Sequence, residues 1–201
     1  FLEREVNLFG KDIIQTLTPR LAYHYTPDKN QDTLPNFDSA DKNDSYESLF
    51  TGKKYTGIDR INKANDFTFG LESDFIDEET GSTYLSLKAA QTFYGDDISA
   101  NNGNRKYSDI AASIDIAWDN LTINNALQYD PETNKIDKRD SAITYQLNPR
   151  KFLTIAHNDF IDDSGERKKT AELYGAYPIN AQMHVFAGIN RSITDSITNK
   201  E

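Results

Sequence analysis

The 201 residues contain no cysteine, so neither a disulfide framework nor a thiolate metal site is available within them. No stretch approaches the roughly 18 consecutive apolar residues of a membrane-spanning helix, which excludes a helical membrane protein. Positive charge is scarce: 22 Lys and Arg stand against 32 Asp and Glu, a formal net charge of -10. A chain without a basic surface lacks the main source of phosphate-backbone affinity, which argues against a nucleic-acid partner. Apolar content is also low, at 37% with a mean hydropathy of -0.71, too polar for a large compact core. Disorder is not the explanation, because 11 Tyr and 11 Phe recur in regular segments and disordered chains are poor in aromatics. No charged-then-apolar leader follows Phe1, so the segment reads as mature or internal, with any export signal outside it.

What is present is a period of two. Leu17, Pro19, Leu21, Tyr23 and Tyr25 fall on one parity, and Thr16, Thr18, Arg20, His24 and Thr26 on the other. That pattern predicts a strand with one apolar and one polar face. The same alternation runs through 66 to 77, where Phe67, Phe69, Leu71 and Phe75 oppose Thr68, Gly70, Glu72 and Asp74, and through Leu85 to Phe93. It continues from Ile110 to Trp118 and, after a tight Asp119-Asn120 turn, from Leu121 to Tyr129. Weaker strands are expected at 140 to 148, 152 to 161, 169 to 178 and 182 to 191, with a partial one at 2 to 9. Two places break the rule: Arg4 sits on the apolar parity of the first strand, and the parity of Leu153 and Ile155 continues into His157 and Asp159. About ten strands, each near the nine to eleven residues that cross a bilayer at a tilt, predict an all-β antiparallel outer-membrane β-barrel segment spanning 1–201 as part of one domain.

The links support a barrel over a soluble sandwich. Short ones are expected at 10 to 12, 78 to 82, 119 to 120, 149 to 151 and 179 to 181, and longer ones at 27 to 65, 95 to 106, 131 to 139 and 162 to 168. Outer-membrane barrels alternate short periplasmic turns with longer external loops. On that orientation Trp118 and Tyr177 sit at periplasmic strand ends and Tyr25 and Tyr129 at external ones, as interfacial aromatic girdles require. Asn101-Asn102-Gly103-Asn104 reads as a turn in an external loop. A small diffusion porin closed by about ten strands shares these features, and so in part does a secreted β-sandwich.

The longest link carries an ordered set of motifs. Pro19-Arg20 with Tyr23, Tyr25 and Pro27 is followed by Pro35, Phe37 and Asp38, then Leu49-Phe50, Tyr55, Gly57, Asp59-Arg60 and Ala64-Asn65. In that order and spacing, between two predicted strands, the run resembles the LptD (organic solvent tolerance) family, most sharply over residues 17 to 72. The resemblance implies a non-enzymatic translocon that inserts lipopolysaccharide (LPS) into the outer leaflet of the Gram-negative outer membrane. It further implies a barrel of about twenty-six strands, of which those here are an arc. The lipoprotein LptE plugs that family barrel, and an N-terminal jelly-roll, not represented in these residues, receives LPS from the LptA bridge. The resemblance also implies that the family's cysteines and lateral gate would lie outside this segment.

Within it, a link as long as 27 to 65 is expected to be packed or functional, with Leu49, Phe50, Tyr55 and Ile61 giving it apolar surface to bury. The expectation is a loop folded back into the lumen and facing LptE. Gly57 takes a turn that needs close backbone approach, Asp59-Arg60 ties the loop to polar lumen residues, and Asn65 leads into the next strand. No Gly-x-Ser-x-Gly elbow or His-Glu-x-x-His spacing accompanies His24, His157 and His184, so no enzymatic role and no cofactor are expected. Asp77-Glu78-Glu79 and Asp162-Asp163 lack the spacing of a calcium loop and read as solvated turns. Facing outward, such groups would bridge through divalent cations to LPS phosphates.

Overall fold

The computed structural model describes residues 1–8, 10–31, 33–40, 42, 44–99, 105–162, 165–194 and 198–200. Among them eleven strands form a single antiparallel sheet: β1 (Leu2–Leu8), β2 (Lys11–Thr26), β3 (Ala64–Asp77), β4 (Thr83–Tyr94), β5 (Ile110–Trp118), β6 (Leu121–Asp130), β7 (Lys135–Asn148), β8 (Lys151–Ile161), β9 (Arg167–Pro178), β10 (His184–Ser192) and β11 (Thr198–Lys200). Two one-turn helices interrupt them, α1 (Tyr46–Leu49) and α2 (Asp96–Ser99). Spatial order equals sequence order, β1 to β11, the arrangement of an up-and-down barrel wall. Ten strands fall where the alternation places them. The eleventh, at three residues, is too short to show a period.

Loop lengths depart from the expected alternation. β7 begins at Lys135 and pairs with β6 through Gln128–Lys138, Tyr129–Ile136 and Asp130–Lys135, so the link expected over 131 to 139 shrinks to four residues. Lys135, Asp137, Lys138 and Arg139 hide the strand from a hydropathy reading, because the ladder is made by backbone groups and tolerates charge at a strand end. The β8–β9 link, 162 to 166, matches the 78 to 82 and 179 to 183 turns in length. The contrast therefore rests on two links, 27 to 63 and 95 to 109. Asp119 takes φ 48 in the two-residue β5–β6 turn, as a tight hairpin requires. The Asn101-Asn102-Gly103-Asn104 turn and Asp163 lie outside the described residues.

Register converts the period of two into rows. One row runs Phe75, Leu85, Ile116, Ile123, Ile143, Ile155, Leu173, Ile189 across eight neighbouring strands, from β3 to β10. Neighbouring rows on this face add Tyr23, Phe67 and Phe93, and its side chains stay open: Leu21 is 72% exposed, Phe69 50% and Ile155 55%. The opposite face carries rows such as Asp74, Ser86, Asp115 and Asn124. The usual rule of apolar inside and polar outside is thus inverted over most of the sheet.

Both exceptions on the apolar face are chemically satisfied. Arg4 pairs in register with Gln15 and donates from Nε to its Oε1 at 2.8 Å, while Gln15 Nε2 donates to Ser73 Oγ at 3.1 Å. Asp159 is buried and held by Nε and Nη2 of Arg167, at 2.6 and 3.0 Å, with Lys169 at 3.6 Å. Trp118, Tyr177, Tyr25 and Tyr129 stand on this face near strand ends, at the short-turn end for the first two and the long-loop end for the others.

Candidate functional site

The 27 to 63 link folds back over the polar face, and small residues make the seat for it. Gly70, Ala90 and Ala111 follow Arg20 in one row, leaving a shallow trough beneath α1. Tyr46 and Leu49 bury themselves there with Ala90 and Ala111, and Phe50 packs on the cluster. A Cβ on Gly70 would stand 2.6 Å from Phe50 Cζ, so the absence of a side chain is what admits the ring. The helix starts with a capping box, in which Ser45 Oγ accepts from Ser48 N and Ser48 Oγ from Ser45 N.

Wall side chains take up the carbonyls that so short a helix leaves open. Thr68 Oγ1 donates to the Leu49 carbonyl at 3.1 Å, and His24 Nε2 lies 3.1 Å from that of Phe50. Gln128 Nε2 donates to the Asp44 carbonyl. A carbonyl only accepts, so His24 Nε2 carries a proton; the 3.0 Å contact of Nδ1 with Asp66 Oδ1 then needs another, held by the ring or the carboxyl. Glu47 joins the loop to the wall through Arg20 at 3.0 Å and Lys88 at 3.9 Å. The Arg20 guanidinium also lies 4.2 Å over the Phe50 ring, a favourable cation–π placement.

A second set of contacts closes the loop upon itself. Asp59 Oδ2 accepts from the backbone nitrogens of Phe37 and Asp38, at 2.6 and 2.9 Å. Asp38 Oδ1 in return accepts from Ile58 and Asp59, at 3.2 and 3.3 Å. These donors, the Ile58 amide first, hold the Asp38 carboxyl below its ordinary value. Gly57 sits between them at φ +70, where a Cβ would meet Asp38. Arg60 Nη1 donates to the Gln31 carbonyl at 2.8 Å. The described partners of Asp59 and Arg60 are thus loop groups, and the tie to the polar wall expected of that pair is made by Tyr46, Glu47, Leu49 and Phe50.

The residues singled out from sequence divide accordingly. Leu49 and Phe50 are in the wall contact, Gly57, Asp59 and Arg60 form the internal clamp, and Tyr55 lines a cavity beneath the loop. Asn65 belongs elsewhere: it has the parity of Phe67 and accepts from the Tyr23 hydroxyl at 3.0 Å on the apolar face. Ile61, expected to bury, lines the cavity beneath the loop but is 64% exposed, and Phe37 at 86% and Ile58 at 82% stand bare beside the clamp. Sequence reading missed Tyr46, Glu47, Gly70 and Gln128 as loop anchors; only the strand register brings them together.

The cavity between loop and wall measures about 720 Å³ and is open to solvent on one side. Seven Lys and Arg line it against four Asp, the reverse of the chain's overall balance. At its margin the 95 to 109 link is fastened by Arg105, 2.7 Å from Asp109 and 3.3 Å from Asp130. Asp109, Asp130 and Asp137 cluster within 4.8 Å, and Arg105 supplies their positive charge.

Comparison with known proteins agrees with this architecture. The family model LptD, "LPS transport system D", matches residues 1–183. The LPS-assembly protein LptD of Xanthomonas euvesicatoria pv. vesicatoria (strain 85-10) is 31% identical over 196 residues, 90% of this chain and 24% of the relative. Its namesake in Nitrosomonas europaea is 31% identical over 199 residues, 96% of this chain and 27% of the relative. That of Xylella fastidiosa (strain 9a5c) is 28% identical over 208 residues, 97% and 26%. The chain spans about a quarter of the length of these relatives, and with the family model covering β1 to β9, it belongs to the LptD family.

Proposed function

We propose that this chain is an arc of the transmembrane wall of an outer-membrane barrel that delivers LPS to the outer leaflet, and that its 27 to 63 loop is part of the lumenal plug. The carrying observation is the inverted sheet: an unbroken apolar row across eight strands faces outward, while a folded polar loop occupies the other side. A hydrocarbon surround makes the first face stable. The names of the relatives, LPS-assembly protein, supply the substrate.

On this reading the lipoprotein LptE rests against the loop's outer surface, where Phe37 and Ile58 are bare and the Asp38–Asp59 clamp holds them side by side. Leu49 and Phe50, spent on the wall, support that surface from behind. LPS reaches the barrel from LptA through a domain outside this segment, and the wall performs no covalent step. The test is co-purification of the full-length parent from outer membranes with LptE, before and after deletion of residues 33 to 40. Loss of LptE and of newly delivered surface LPS with the barrel still inserted is the expected result. Undiminished LptE recovery and LPS delivery would remove the plug from the proposal.

A further inference from the structure

On the apolar face, the row that runs Leu121, Tyr145, Leu153 ends in two small residues, Gly175 on β9 and Ala187 on β10. Large side chains stand on either side of them, Leu173 and Ile189 toward mid-sheet and Tyr177 and Val185 toward the short turns. The result is a cleft of about 650 Å³, whose side chains are aliphatic or aromatic except for Lys151. Lys151 lies at the short-turn rim, its ammonium 4.9 Å over the Tyr177 ring and its stem available to apolar surface. Negative charge is missing around that rim. Residues 141–158 and 173–194, which hold the short-turn ends of β7 to β10, contain no Asp or Glu, in a chain that has 32. Arg150, next to Lys151, spends one guanidinium N–H on the Ala181 carbonyl at 3.0 Å, tying the β7–β8 turn to the β9–β10 turn. The other short-turn ends are different, since Asp12, Asp77, Glu78, Glu79 and Asp119 stand there.

We infer that this cleft holds an acyl chain of an anionic phospholipid from the inner leaflet, with the phosphate at Lys151. Taking the cleft to lie in hydrocarbon, and the short turns at the periplasmic surface, rests on the proposed function above. Over the rest of the face, lipid meets a layer of large side chains from one side only. At Gly175 and Ala187 a chain sinks between the flanking rows and gains dispersion contacts on several sides. The charge of the rim selects the headgroup. A zwitterionic lipid brings an ammonium for which the acid-free rim supplies no carboxylate, whereas an anionic one meets Lys151 and Arg150 without a competing cation. A second copy of this chain fits less well, because a two-fold contact through the cleft sets the same basic rim against itself.

The test is photolabelling of the full-length parent in nanodiscs of phosphatidylethanolamine, with a trace of phosphatidylglycerol carrying a photoreactive acyl chain. Phosphatidylethanolamine carrying the same chain serves as the reference probe. The glycerol probe should label the Gly175 and Ala187 peptides about five-fold more than the ethanolamine probe, the worth of one cation near an anionic lipid. No such preference is expected at Leu121, which shares the row but stands beside Asp119. Lys151→Gln should remove the preference. Ala187→Leu fills the floor and should bring labelling by both probes down to the level at Leu121, with heat-modifiable migration unchanged. Gly175 is unsuited to substitution, because a Cβ there would lie 2.6 Å from the Phe152 carbonyl oxygen. Equal labelling of the cleft by the two probes, or labelling unmoved by Ala187→Leu, overturns the site and leaves the wall reading standing. No labelling anywhere on the apolar face counts against both. A photoreactive residue at Val185 in cells that yields a protein adduct in place of a lipid adduct gives the cleft to a protein partner and also overturns the inference.

Discussion

Gly70 shows how much one missing side chain can decide. Its Cα lies beneath the Phe50 ring, and a Cβ there would approach Phe50 Cζ to 2.6 Å. Overpacking of this kind costs about 1–3 kcal/mol, and it falls on the Phe50 and Tyr46 rings that seat α1 on the wall. Gly70→Val should therefore free the loop without unfolding the sheet, read as faster proteolysis within 27 to 63 at unchanged heat-modifiable migration; equal proteolysis of parent and variant would contradict the seat. Asp38 makes the second residue-scale case. Donation from Ile58 holds its carboxyl below the ordinary value, so its contribution is present above the unfolded carboxylate range, near pH 3.9, and is lost as pH falls through the lower folded value. Loop protection should drop only in strong acid in the parent. Asp38→Asn should lower it already at neutral pH, where the amide oxygen is a weaker acceptor than the carboxylate.

At the scale of elements, α1 is a helix of four residues that would not exist alone, since a single turn costs more to nucleate than its hydrogen bonds return. Its capping box and the burial of Tyr46 and Leu49 on Ala90 and Ala111 hold it in place. Leu49→Ala should cost about 2–4 kcal/mol of loop docking, measured as increased amide exchange through 45 to 51; Ile61→Ala, at an exposed position, should change little. Most strands were legible because each shows its own period of two, read within ten residues. The seat of α1 was not. Gly70, Ala90 and Ala111 lie on three strands, and only the register brings them into one row. For the same reason Asp59 and Arg60 stood out as charged residues in a motif while their partners, backbone groups twenty or more residues away, left no mark in the sequence. The first residues of β7 were hidden differently, because charge replaces alternation where a strand leaves the apolar belt.

For the whole molecule the two faces of the sheet make opposite demands, and a matched pair of substitutions separates them. Ile155 sits mid-strand in the eight-residue apolar row, 55% exposed, and Asn124 stands on the polar face, donating to Asp115 at 2.7 Å. In a soluble sandwich an exposed Ile155→Lys would be tolerated or would improve solubility. In a membrane wall it should destabilise by about 2–4 kcal/mol at the bilayer midplane, seen as a lower temperature of heat-modifiable unfolding in the full-length parent. Asn124→Lys, beside the Asp115 carboxylate and away from lipid, should leave that temperature within about one degree per few tenths of a kcal/mol. Equal, small effects at the two sites would mean that the apolar face meets water, since a charge at Ile155 is costly only where that face is taken out of water.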